Sequence, residues 1–125
     1  MEWLKPTVEA LRAQHVARII ILGPVPVWTG GLPNVAAAIF WRTGKIIPER
    51  SPFYFDRASG DAVMRKIAAE LNVEYISARD AFCNNDGCIT RVGGTLVASD
   101  IIHLTGPGSA FLAEAISDKL RLVAR

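Results

Sequence analysis

Apolar and polar positions change their spacing several times along the chain, and each change marks an element. In "EWLKPTVEALRAQH" the apolar residues Trp3, Leu4, Val8 and Leu11 recur at helical spacing. Pro6 suits a first helical turn, so a helix is predicted from about Lys5 to Gln14. "ARIIILGP", Ala17 to Pro24, is a continuous Ile-rich run closed by Gly-Pro. Such a run reads as a strand covered on both faces, as in a parallel sheet. "DRASGDAVMRKIAAELN" returns to helical spacing, with Val63, Ile67, Ala68 and Leu71 on one face and Asn72 as the stop. "VEYISA", Val73 to Ala78, reads as a second buried strand that runs into a helical turn at "RDAFC". "CITRVGGTLVASD" predicts a hairpin turning at Gly93-Gly94. The final "GPGSAFLAEAISDKLRLVA" predicts a helix with Pro107 in its first turn and a stripe of Phe111, Leu112, Ile116, Leu120 and Val123.

Between Val25 and Asp56 the patterning fails. This stretch holds Pro26, Pro33, Pro48 and Pro52, and "LPNVAAAIFWR" carries at most a short helix, Asn34 to Trp41. The remainder reads as a long surface excursion, the kind of segment that carries function. Strands alternating with helices predict an α/β domain: a three-layer arrangement with a parallel sheet flanked by helices.

Composition narrows the function classes. The 125 residues suit one domain, and 50% hydrophobic with 21% charged residues is a globular balance. A net charge of +2, from 14 basic and 12 acidic residues, is too even to argue for nucleic acid or an anionic membrane. Lys119, Arg121 and Arg125 form a light basic cluster that suits a helix C-terminus. No run approaches the ~18 to 20 apolar residues of a membrane helix. The first residues, "MEWLKPTVEALRAQH", lack the apolar core of an export signal. A soluble chain without membrane insertion is the expectation. No cofactor motif is present, and the compartment is left open.

Cys83 and Cys88 flank "NNDG", a turn-forming stretch. They can form a disulfide, remain free thiols, or contribute to a metal site. A tetrahedral zinc site needs two further ligands, for which Asp100 and His103 are the available donors. A disulfide would indicate an oxidising compartment.

The candidate chemistry lies in "ASDIIHLTGPGSAFLAEAI", Ala98 to Ile116. An Asp placed three residues before a His can accept a hydrogen bond from one ring nitrogen and fix the tautomer. The other nitrogen is then free to take a proton from a nucleophile. This block resembles the terminal block of the SGNH hydrolases, the GDSL esterase/lipase superfamily, whose pattern is D-x-x-H-[LP]-[ST]-x-x-G. The matching residues are Asp100, His103, Leu104, Thr105 and Gly108. "ARIIILGPVPVW" and "YISARDAFCNNDGCITRVGGTLVASDIIHLT" are similar to the SGNH domains of acyltransferase-3 proteins, which O-acetylate surface glycans. The resemblance covers about Arg18 to Ile116. It implies a flavodoxin-like sheet, His103 as general base, Asp100 as its orienting partner, Thr105 as a helix cap, and a structural Cys83–Cys88 disulfide as in periplasmic relatives.

The family's nucleophile sits in a Gly-Asp-Ser motif after the first strand, and this chain has none. Its single Gly-Asp, Gly60-Asp61, is followed by Ala62. The resemblance therefore implies the C-terminal portion of an SGNH domain, N-terminally truncated, retaining the base but inactive alone. Ser51, Ser59, Ser77, Ser99, Ser109 and Ser117 each read as a cap, turn or surface residue, and His15 as the end of the first helix. In the family another strand lies beside the one matching Ala17 to Leu22, so an uncovered edge is expected, and with it a homo-oligomer. The alternatives are a non-catalytic binding or assembly protein, or a hydrolase drawing its serine from another position or chain. Trp28, Phe40, Trp41, Phe53, Tyr54 and Phe55 either stack on a carbohydrate ligand or cover the sheet, with packing the favoured reading.

Overall fold

A computed structural model describes residues 2–52 and 58–121. Helix α1 (Leu4–Ala13) leads into strand β1 (Ile20–Leu22), and the proline-rich excursion follows. That excursion contains a regular helix, α2 (Leu32–Thr43), and a short strand, β2 (Arg50–Ser51). Helix α3 (Ala58–Glu70), strand β3 (Glu74–Ile76) and helix α4 (Ala78–Phe82) come next. Strands β4 (Cys83–Asn84), β5 (Gly87–Ile89), β6 (Arg91–Val92) and β7 (Thr95–Leu96) precede helix α5 (Gly106–Leu120).

β1 and β3 pair in parallel, with Ile20 opposite Glu74, Ile21 opposite Tyr75 and Leu22 opposite Ile76. Side chains alternate across this pair, so each face meets different helices. Ile21 joins Leu4 of α1 and Ala68 of α3, while Met64, Ile67 and Tyr75 pack against them. Ile20 and Ile76 face the larger cluster, which includes Trp28, Leu32, Phe82, Val97, Leu112 and Ile116. Helices therefore cover both faces, but the broad parallel sheet expected from the sequence is not what the described residues form. Their parallel sheet has two strands; the others form a three-stranded antiparallel sheet, β2-β5-β4, and a β6-β7 hairpin.

Other expectations shift for identifiable reasons. β1 is not covered on both faces along its length, because Leu22 at its end is 46% exposed. On α3 Val63 points to solvent, and Asp61 and Ala68 are the buried residues. α2 is longer than Asn34 to Trp41. Pro33 lies in its first turn, where no backbone N–H is needed, and Gly44 closes it in the left-handed conformation at φ 70°. Asn72 and His15, at φ 55° and 62°, close α3 and α1 in the same conformation. The hairpin turns at Gly93-Gly94 as the sequence predicts. Val123, Arg125 and the Phe53, Tyr54 and Phe55 aromatics lie outside the described residues.

Long-range polar contacts tie the ends of elements together. Arg12 donates to the carbonyls of Leu71 (2.8 Å) and Asn72 (3.0 Å), joining α1 to the end of α3. Arg18 pairs with Glu74 and also donates to Lys119 O at 2.7 Å, holding the last turn of α5 against β3. Cys83 and Cys88 stand opposite each other on β4 and β5 and form a disulfide. That removes both from any metal site, and no group of His, Cys, Asp and Glu suited to a metal occurs among the described residues.

Candidate active site

Asp100 and His103 sit in a short loop whose neck is stitched shut. Ala98 and Leu104 form an isolated antiparallel bridge. Ser99 N–H donates to His103 O at 2.8 Å, and its hydroxyl donates to the same carbonyl at 3.3 Å. Just outside the neck, Thr105 N–H donates to Val97 O at 3.0 Å.

Within the loop the Asp100 carboxylate is fully engaged. One oxygen, Oδ1, accepts from the backbone N–H of Ile102 (2.9 Å) and of His103 (2.8 Å). The other, Oδ2, lies 2.7 Å from His103 Nδ1. The three-residue spacing makes this possible: the side chain caps the turn it begins and reaches the ring at the turn's end. The two backbone N–H groups, with the ring, hold the Asp100 carboxyl down at about 2, so it is ionised at neutral pH. An ionised carboxylate only accepts, which assigns the proton to Nδ1 and leaves Nε2 of the neutral ring as the acceptor. The His103 side chain is 73% exposed, open to a reactant from solvent.

Two helix starts hold the loop in place. Ahead of α2, Trp28 N–H donates to Ile101 O at 2.9 Å and Leu32 N–H to Asp100 O at 3.1 Å. Gly31 lies in van der Waals reach of the Asp100 backbone, and its φ of 96° is a conformation that a side chain would strain. At the start of α5 the Thr105 hydroxyl accepts from Gly108 N–H at 3.1 Å and donates to Leu96 O at 2.6 Å. Thr105 is thus the helix cap that the resemblance implied. Gly108 is constrained by space instead, because a Cβ there would lie 2.0 Å from Val97 O. The backing by Trp28 to Leu32 was not read from the sequence, although the adjacent Gly30 and Gly31, both at positive φ, were its visible trace.

Among the described residues the serines hold structural or surface positions. Ser77 caps α4 by accepting from Asp80 N–H (3.0 Å) and donates to Asp61 (2.9 Å). Ser117 donates to Glu114 O, Ser51 is buried in β2, and Ser59 and Ser109 are exposed in the first turns of their helices. Among the described residues, no serine hydroxyl is hydrogen-bonded to the His103 ring. His15 lies in the turn after α1.

Asp61, noticed in the sequence only as part of a Gly-Asp without Ser, is a buried structural carboxylate. It accepts from Tyr75 Oη at 2.6 Å as well as from Ser77. Burial and this carboxylate push the Tyr75 phenol up, so it remains a donor. Gly23 leaves room for it, since a Cβ there would fall 2.0 Å from Tyr75 Oη. The cluster joins α3 to the carboxyl ends of β1 and β3.

Of the solved structures, the periplasmic domain of a Salmonella ser. Paratyphi A lipopolysaccharide acetyltransferase superposes with a TM-score of 0.85 at 33% identity. The match covers 94% of this chain and 47% of that one, so this chain spans about half the length of that relative. No curated protein matches at a significant level. The family described as "SGNH domain (fused to AT3 domains)" matches residues 3–118, nearly the whole sequence. The bonded Asp100–His103 loop, its α5 cap and the disulfide hairpin all fall inside that match, and the chain belongs to this SGNH family.

Proposed function

We propose that this chain supplies the base half of an acyl-transfer site acting on carbohydrate, with His103 as general base and Asp100 orienting it. The observation that carries the reading is the 2.7 Å contact between Asp100 Oδ2 and His103 Nδ1, made by a carboxylate already locked by two backbone N–H groups. As a hydroxyl oxygen attacks an acyl carbonyl, its proton passes to His103 Nε2, and Asp100 stabilises the imidazolium that results. When the tetrahedral intermediate collapses, the imidazolium returns that proton to the departing alkoxide oxygen. The solved relative is a lipopolysaccharide acetyltransferase, which supports acetyl as the group moved and carbohydrate as the substrate class.

The nucleophile comes from residues outside these 125. The sequence has no Gly-Asp-Ser, and the described serines serve structure or lie on helix starts. The chain alone is therefore inactive. Reaction of the purified chain with a fluorophosphonate probe, read by intact mass beside a His103→Ala control, tests this. No adduct above the control is expected. One serine that labels, and loses its label in the control, would overturn it.

A second reading, assembly, is favoured by the state of β1. It pairs with β3 on one edge only among the described residues, and Leu22 stays exposed beside the other. A second copy of the chain covers that edge in this reading. The disulfide supports an oxidising compartment, as for the periplasmic relative.

A further inference from the structure

One face of α2 roots Val35 and Ile39 in the core and borders open space along its outer side. Asn34, Val35, Ala38, Ile39 and Arg42, with Thr29 and Pro52, line a cleft of about 610 Å³. Trp41 stands three residues after Ala38 and seven after Asn34, which places it along the rim of the same face. It is 87% exposed. A lone exposed Trp carries no meaning, since single apolar residues are common on surfaces. Three further observations give this one a role.

The cleft has a mixed lining. Val35, Ala38, Ile39 and Pro52 are apolar, while Thr29 and Asn34 bring hydrogen-bonding groups. The Asn34 amide nitrogen donates to Gly30 O at 2.7 Å, which fixes the side chain and leaves its oxygen as an acceptor. One end of the cleft is formed by the segment that backs the Asp100 loop. Thr29 lies between Trp28, bonded to Ile101 O, and Gly31, packed on the Asp100 backbone.

A pyranose ring needs such a surface: a flat aromatic for its C–H face and polar groups for the hydroxyls at its edge. We propose that the α2 cleft holds the carbohydrate acceptor, with Trp41 stacked on a sugar ring and Thr29 and Asn34 on its hydroxyls. The role as acceptor rests on the acyl-transfer reading above; the carbohydrate site does not.

The test is an amide-resolved NMR titration of the full chain with de-O-acetylated lipopolysaccharide polysaccharide. Shifts are expected on Thr29 to Arg42 and on the Trp41 indole. Trp41→Ala should weaken binding by about tenfold or more, roughly the loss of one good contact. Phe40→Ala, which removes another exposed aromatic from a different side of α2, should bind as the parent does. No binding, binding insensitive to Trp41, or equal weakening by both variants would overturn the cleft. Shifts confined to Asp100 to His103 would sink the cleft and leave the acyl-transfer reading standing. A serine adduct in the fluorophosphonate experiment, alongside Trp41-dependent binding, would do the reverse.

Discussion

Asp100 closes a turn and orients a ring with a single carboxylate. Its titration reports whether both roles hold in solution. The depressed value means the ionised form is favoured by the folded loop, so its contribution is present above the ordinary 3.8 and is lost as pH falls through about 2. NMR titration of the Asp100 carboxyl carbon should therefore show a midpoint near 2, and a midpoint near 3.8 would mean the three hydrogen bonds are not made. Gly108 is the other decisive residue. Gly108→Ala puts a methyl 2.0 Å from Val97 O, so α5 or the loop neck must move. A loss of about 2 kcal/mol is expected, within the usual range for overpacking. Urea denaturation would measure it, and an unchanged midpoint would show that the neck is looser than its geometry implies. The motif glycine is thus explained by a close backbone approach, independently of any catalytic role.

At the scale of elements, the β4-β5 hairpin depends on its disulfide more than on its strands of two and three residues. Cys83 and Cys88 are five apart, and closing so short a loop is worth ~2 kcal/mol in the chain-entropy picture. Cys88 is fully buried beside Phe82 and Val97 in the main core, so its loss also reaches the packing under α5. Replacing both cysteines by serine should lower the unfolding free energy by at least ~2 kcal/mol, and a reducing agent should lower that of the parent similarly. Equal stability with and without reductant would argue against the bond. The element that sequence patterning undervalued is α2. Four prolines in Val25 to Asp56 suggested irregular chain, yet Pro33 occupies a position where proline favours a helix start. The aromatics there divide: Trp28 is buried as packing, whereas Phe40 and Trp41 are exposed.

For the whole molecule, the question is what covers β1. A parallel pair of three-residue strands is short for a sheet that organises helices on both faces. Among the described residues β1 is paired on one edge only, and the proposed assembly uses the other. Light scattering at micromolar concentration should show a dimer or larger species. Leu22→Lys, a charge placed beside that edge, should shift it toward monomer. A monomeric parent chain would remove the assembly reading and leave the base-half reading intact.

What depends on neighbours along the chain was legible from the residues alone. Helical spacing located α1, α3 and α5; Gly93-Gly94 located the hairpin; and the spacing of Asp100, His103, Leu104, Thr105 and Gly108 identified the loop and its family. These are local matters of periodicity, turn geometry and capping, encoded within a few residues. Tertiary structure decided the rest. Val63 and Leu22 look as apolar as their buried neighbours, and only the placement of other elements leaves them in solvent. Asp61 becomes a buried acceptor because Tyr75 and Ser77, distant in sequence, converge on it. The α2 start backs the dyad through hydrogen bonds spanning some seventy residues, and no local pattern records a contact of that range.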